Sequence, residues 1–268
     1  MEPSLIKFLL WDTFHIIYVN RTWMGWNLFL AIIPLVLSVV LFRGDESGAA
    51  IVRRSQVTQE RLVSQRIPSQ TRTRNDRPAV FWQQYTAKLS TLIQSHSGLW
   101  WVGFIIFVAF LPNAPYILTD VIHLVEAIRG ESSIWRSSLV FIPVFLGFMF
   151  LGFESYVLSL INLGFYLHKS GRGRYIYCAE LILHFMSAIG IYLGRFVRFN
   201  SWDIVTNPDG LVSYVLDDLL RHQPILAIGY TFIIITILYL PMKEVTLAMI
   251  AYRQLNRSKK FHDRLILE

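Results

Sequence analysis

The chain has 268 residues, of which 54% are hydrophobic, 15% aromatic and only 16% charged, with a mean hydropathy of +0.44. That composition excludes an ordinary soluble domain, and the lone cysteine, Cys178, excludes an intrachain disulfide or a multi-cysteine metal site. The formal charge of +7 reads in such a chain as a topology signal before a nucleic-acid footprint, so no nucleic-acid partner is expected and the bilayer itself is the first partner.

The first segment, "SLIKFLLWDTFHIIYVN", is apolar enough to be helical, but Lys7, Asp12 and His15 interrupt it. It is expected to be either a short sixth span (residues 5–19) or an interfacial helix. Five clear spans are predicted at about 24–42, 99–119, 137–167, 175–197 and 223–242, each approaching or exceeding the roughly 20 residues that cross a hydrocarbon core. None has the short apolar core and small-residue cleavage site of a secretory signal, so all are expected to remain in the mature protein. The expected fold class is all-α, a polytopic transmembrane helical bundle.

Four regions follow: residues 1–42 with the first clear span, a linker at 43–98, a four-span core at 99–242 and an amphipathic tail at 243–268. The linker carries nine Lys/Arg against four Asp/Glu, the turn "HKSGRGR" three against none, and the tail six against three. The connectors 120–136 and 199–221 carry two against three and one against four. This alternation predicts a cytoplasmic linker and C-terminus and an outward-facing 120–136 and 199–221. The first part of the linker, rich in Arg, Gln, Ser and Thr, is expected to be disordered; the part near "VFWQQYTAKLSTLI" reads as interfacial.

Ionisable side chains within spans are costly and by default suggest a functional site. On the fourth span Glu180, His184, Ser187, Arg195 and Arg198 fall within an arc of about 80°, a polar stripe running over roughly 27 Å. The third span adds Glu154, which is expected to point into the bundle from a face containing Gly147. Glu154, Glu180 and His184 are the predicted proton-handling core. In "FLPNAPYILTDVIHLVE" (110–126), Pro112 and Pro115 predict a break in the second span, with Asn113 capping a restarted helix. That helix would carry Asp120, His123 and Glu126 on one sector. With Arg195, Arg198, Asn200 and Asp203 from "GRFVRFNSWD" (194–203), Asn113, Asp120 and His123 form the predicted outer vestibule. The arginines suit an anion or anionic lipid as partner. Asp120-x-x-His123 alone is a weak metal pattern, so no metal site is assigned, and the sequence names no cofactor.

The stretches "WNLFLAIIPLVLS" (26–38), "FLPNAPYILTDVIHL" (110–124) and "GRFVRFNSWD" (194–203) resemble the blocks of the bacterial membrane-protein family numbered 1361 among the domains of unknown function. The resemblance covers 24–42 and about 99–240. It implies a compact multi-pass protein of the bacterial plasma membrane, often with six spans, and brings no reaction. Function is therefore expected to be binding or conduction of a small polar or anionic solute, coupled to protons if coupled at all. The alternatives are an intramembrane enzyme acting on a lipid or lipid-linked phosphate at the outer leaflet, with Asp120 and His123 as acid/base or metal ligands, and a structural scaffold.

Overall fold

A computed structural model describes residues 3–43, 97–197 and 222–267, together with Thr206 and Asp209. The described residues are helical and contain no strand. Five stretches are long and apolar enough to cross a membrane: Lys7–Arg43, Gly98–Arg129, Ile134–Lys169, Gly173–Arg195 and Pro224–Arg253. The linker's structure, and Arg198, Asn200 and Asp203 of the predicted vestibule, lie outside the described residues.

Helix α1, Pro3–Arg43, is one unbroken helix of 41 residues, about 61 Å at 1.5 Å per residue. The N-terminal segment is thus an extension of the first span and not a separate sixth crossing. Asp12, which made that segment look unfit for a span, is 2% exposed and accepts a 2.9 Å hydrogen bond from Arg136 Nε. Arg136 Nη1 also donates to Glu131 Oε2 at 2.8 Å. A carboxylate supplied with a guanidinium partner no longer ends a helix.

The second stretch comprises α2 (Gly98–Phe110), α3 (Asn113–Tyr116), a 3-10 turn at Ile117–Asp120 and α4 (Val121–Arg129). Ser97 caps α2 by accepting from the Trp100 amide. The third comprises α5 (Ile134–Arg136), a π turn at Ser137–Phe141 and α6 (Ile142–Lys169). Gly171, at φ 73°, ends α6; the Arg172 amide then reaches back to Leu167 O at 2.8 Å, a left-handed cap that only glycine adopts without penalty. This reversal leads through a 3-10 turn, Gly173–Tyr175, into α7 (Ile176–Tyr192), a π turn at Leu193–Val197, and lastly α8 (His222–Leu267).

The pairings fix helix directions. Asp12 bonds Arg136, and Asn162 Nδ2 donates to Ser38 Oγ, both at a sequence offset of 124. A constant offset over 26 residues means that α1 and the α5–α6 stretch run parallel, in step, for about 39 Å. By contrast Phe42 packs on Trp100 and Asn27 on Asp120, so α1 and the second stretch are antiparallel. Tyr156 meets His184, and Phe232 meets Phe185 while Lys243 meets Glu180, so α7 is antiparallel to both α6 and α8. Arg43, the 168–174 turn and the start of α2 therefore share one end of the bundle, and Asp120, Arg136 and Arg195 lie towards the other.

The most buried helix is α6, whose core residues include Phe145, Phe153, Tyr156, Val157 and Leu160. Exposed Phe14, Trp26, Phe150, Tyr177 and Tyr230 cover the outside, an apolar exterior that suits lipid as solvent.

Candidate functional site

The predicted break at "PNAP" is present. A proline ring cannot donate and clashes with the turn before it, and α2 ends at Phe110. Asn113 does not cap the restarted helix as expected: its Nδ2 donates back to Phe110 O at 3.0 Å. The freed carbonyl of the incoming helix is the group that needs a donor, and the side-chain amide supplies it. The restarted helix is seated by two glycines. A Cβ on Gly190 of α7 would lie 2.7 Å from Pro112 Cβ and Cγ, and a Cβ on Gly152 of α6 would meet Ile117. Gly147, the expected seam residue, has nothing within 4 Å of its would-be Cβ.

Past the break, Asp120 is buried, whereas His123 and Glu126 stay together at the surface. Asp120 is 1% exposed; Asn27 Nδ2 donates to its Oδ2 at 2.8 Å, and Arg195 Nη1 stands 4.0 Å from Oδ1. Arg195 also donates to Thr119 O at 3.2 Å and lies 5.9 Å from the Tyr116 ring centroid. Asp120 Oδ1 is buried and has no hydrogen-bond partner among the described residues. His123 instead packs on Trp23, ring centroids 4.7 Å apart, and faces Glu126 at 3.4 Å, both side chains well exposed. The structure thus joins Asp120 to Arg195 and leaves His123 outside that pair, against Trp23.

Deeper in the bundle the α7 stripe is buried, as Glu180, His184 and Ser187 show. Their partners come from α6 and α8. Tyr156 Oη and His184 Nδ1 share a 2.7 Å hydrogen bond. The His184 ring meets Tyr239 edge-on, with centroids 4.5 Å apart. Tyr239 Oη donates to Glu180 Oε1 at 2.8 Å, and Lys243 Nζ donates to both Glu180 oxygens at 2.6 and 2.9 Å. Five polar side chains from three helices therefore form one packed chain, in which an ionised carboxylate is matched by an ammonium and a phenol. Ser187 Oγ is buried beside this chain, next to the Tyr156 hydroxyl.

Glu154 is not part of that chain. It is half-buried and accepts from Thr246 Oγ1 at 2.7 Å. Around α6 it lies within about 60° of Gly147, Phe150 and Leu151, which are exposed, and equally of Val157 and Ile161, which are buried. It therefore stands where its helix face passes from exposed to buried, half-covered by α8, and does not join the Glu180 and His184 chain as expected. The distinction could not come from periodicity, which fixes which residues share a face and not which face a neighbour covers.

A further polar junction lies near the other end: Arg43 Nε donates to Asn162 Oδ1 at 2.7 Å, and Asn162 in turn donates to Ser38 at 2.9 Å. It ties the end of α1 to α6. Among the described residues no group of three or more His, Cys, Asp or Glu is arranged to hold a metal.

The family described as Protein of unknown function (DUF1361) matches residues 79–237. That range contains the "PNAP" break and the 194–203 block and leaves 26–38 outside. No curated protein and no solved structure matches the chain.

Proposed function

This chain belongs to the DUF1361 family, and we propose that it is a bacterial plasma-membrane protein that binds or conducts a small polar solute through the polar interior between α6, α7 and α8. The observation that carries this reading is the buried chain Tyr156, His184, Tyr239, Glu180 and Lys243. Intramembrane ionisable groups are expensive and mark solute or proton pathways by default. The buried Ser187 hydroxyl, on the same face of α7 as His184, adds a further polar group beside the chain. His184 supplies the proton-handling member, held by a phenol on one side and a second aromatic ring on the other.

Asp120 beside Arg195 balances the guanidinium, which favours a neutral polar or zwitterionic solute over a simple anion. A lipid-phosphate enzyme would need Asp120 and His123 to act together and Arg195 to be free for phosphate, and their contacts divide those groups differently. The basic end, with Arg43 and the 168–174 turn, is assigned to the cytoplasm by the excess of basic residues. The C-terminus of α8 shares that side.

Native mass spectrometry of the protein released from its own membranes tests the solute. Wild type should carry a small polar molecule that Ser187→Val loses while its melting temperature stays close to wild type, and that His184→Phe loses together with the stability supplied by the buried Tyr156–His184 hydrogen bond. Identical unliganded spectra for all three would leave the polar chain as a device that specifies helix packing.

A further inference from the structure

Two carboxylates lie in spans facing α8, and their surroundings differ in kind. Glu180 is 3% exposed, and both of its oxygens accept from Lys243, one of them also from Tyr239. Its charge is matched in place. Glu154 has a single hydroxyl donor, Thr246, and no cation within ion-pair distance among the described residues. One turn away on α8, Lys243 is committed to Glu180, and the neighbouring Glu244 is exposed and of like charge. On α7, His184 is engaged by Tyr156. On its own helix Glu154 is half-buried and ends the exposed stripe of Phe150 and Leu151, Val157 and Ile161 beyond it on the same face being buried. Within a span, that stripe faces hydrocarbon.

We infer that Glu154 is a proton-binding site at the lipid-facing seam between α6 and α8, a carboxyl that holds its proton and is reached from the hydrocarbon side, whereas Glu180 is a fixed ion pair. The inference deepens the proton-coupled part of the reading above and stands apart from the identity of the solute. An unpaired carboxylate facing hydrocarbon is far costlier than the neutral acid, which keeps a donor of its own and can accept from Thr246 through its other oxygen. Thr246 is suited to both states, because its hydroxyl can rotate to donate to a carboxylate or to accept from an acid. The ligand at this site is a proton.

Carbodiimide reactivity distinguishes the two carboxyls. A protonated carboxyl adds across one C=N bond of the reagent: the oxygen bonds to the central carbon and the proton goes to nitrogen, with no leaving group. An O-to-N acyl shift then gives a stable acylurea of unchanged mass. Membranes containing the full chain are treated either with dicyclohexylcarbodiimide, which partitions into hydrocarbon, or with a water-soluble carbodiimide, and peptides are mapped by mass spectrometry. The hydrophobic reagent should modify Glu154 at least tenfold faster than the soluble one, and neither should modify Glu180. Thr246→Val, which removes the hydroxyl and keeps the shape, should leave Glu154 reactive, whereas in Glu154→Gln the adduct disappears without new labelling at Glu180. Preferential labelling of Glu180, labelling of Glu154 only by the soluble reagent, or no adduct at Glu154 in wild type would each overturn the assignment. Glu154 labelling in a protein whose native spectrum carries no solute would retain the proton site and remove the solute reading; bound solute without Glu154 labelling would do the reverse.

Discussion

Gly190→Ala places a methyl carbon 2.7 Å from both Cβ and Cγ of Pro112. Carbon atoms rest at about 3.5–4.0 Å, so roughly 1 Å of separation must be found. A proline ring has no alternative rotamer to retreat into, and Pro112 stands at the break where the chain direction is set, so α7 and the α3 segment must move apart. Overpacking of this kind costs about 1–3 kcal/mol, partly offset by the about 1 kcal/mol by which alanine exceeds glycine in a helix interior. The net expectation is destabilisation by about 0–2 kcal/mol, accompanied by disturbance of the Asp120–Arg195 contact, which joins the 3-10 turn and the π turn that continue those two elements. Gly147→Ala is the matched control: its methyl meets nothing within 4 Å, so only the helix gain of about 1 kcal/mol applies. Thermal unfolding of both variants in one detergent, read by tryptophan fluorescence, should place Gly190→Ala below wild type and Gly147→Ala at or above it. Equal melting temperatures for the two variants would refute a tight seat for the "PNAP" segment.

Lys243→Met should destabilise the bundle by about 3–5 kcal/mol, the range for stranding one half of a buried pair, whereas Glu180→Gln/Lys243→Met should recover more than half of that loss; thermal melts of the single and double variants check the order. Arg195→Gln should lower stability more than Arg195→Gln/Asp120→Asn, because the double variant leaves no buried carboxylate without its cation. Equal melting of those two proteins would mean that the 4.0 Å contact carries no coupling. With Cys178 replaced by Ser, Glu60→Cys and His262→Cys should both resist an impermeant thiol reagent in intact cells and react in inverted vesicles; labelling at both in intact cells would reverse the assigned topology.

Much of the fold was written in the hydropathy of the chain, because a span must be apolar along most of its length whatever it packs against. The five crossings and the "PNAP" break follow from that rule and from proline's missing donor. Glu180, His184 and Ser187 were legible as a buried stripe for the same reason: three polar groups at helical spacing in an apolar run need cover. Their partners were not legible. Tyr156 and Tyr239 count as apolar in a hydropathy scan, so their hydroxyls are invisible until a carboxylate or an imidazole is found opposite. Lys243 sits at the start of a basic tail and reads as a topology charge, whereas its ammonium turns back to Glu180. Asp12 misled in the other direction, since the guanidinium that neutralises it is 124 residues away. Gly152 and Gly190 differ from Gly147 only in what lies opposite them, which no local pattern records.

The departures from regular helix fall where polar groups must be aimed. Asp120 closes the 3-10 turn Ile117–Asp120, Arg195 lies in the π turn Leu193–Val197, and Arg136 immediately precedes the π turn Ser137–Phe141. A 3-10 turn overwinds and a π turn underwinds the helix, so each rotates the side chains beyond it relative to an ideal 3.6-residue period. Each such residue reaches a carboxylate, a guanidinium or a backbone carbonyl on another element. Between the Asp120–Arg195 pair and the His184 chain the lining is apolar: Leu111, Ala114, Ile117 and Ile191 are all at most 2% exposed. From α7 into the π turn the order is Ser187, then Ile191, then Arg195, so the two polar clusters stand about two turns apart with Ile191 in the turn between them. The same turn is where the proline-broken segment presses against Gly190. A solute passing from one cluster to the other would have to displace that contact, and the "PNAP" segment, with no continuous helix through it, is the element of the bundle that could yield there without breaking a regular hydrogen-bond ladder.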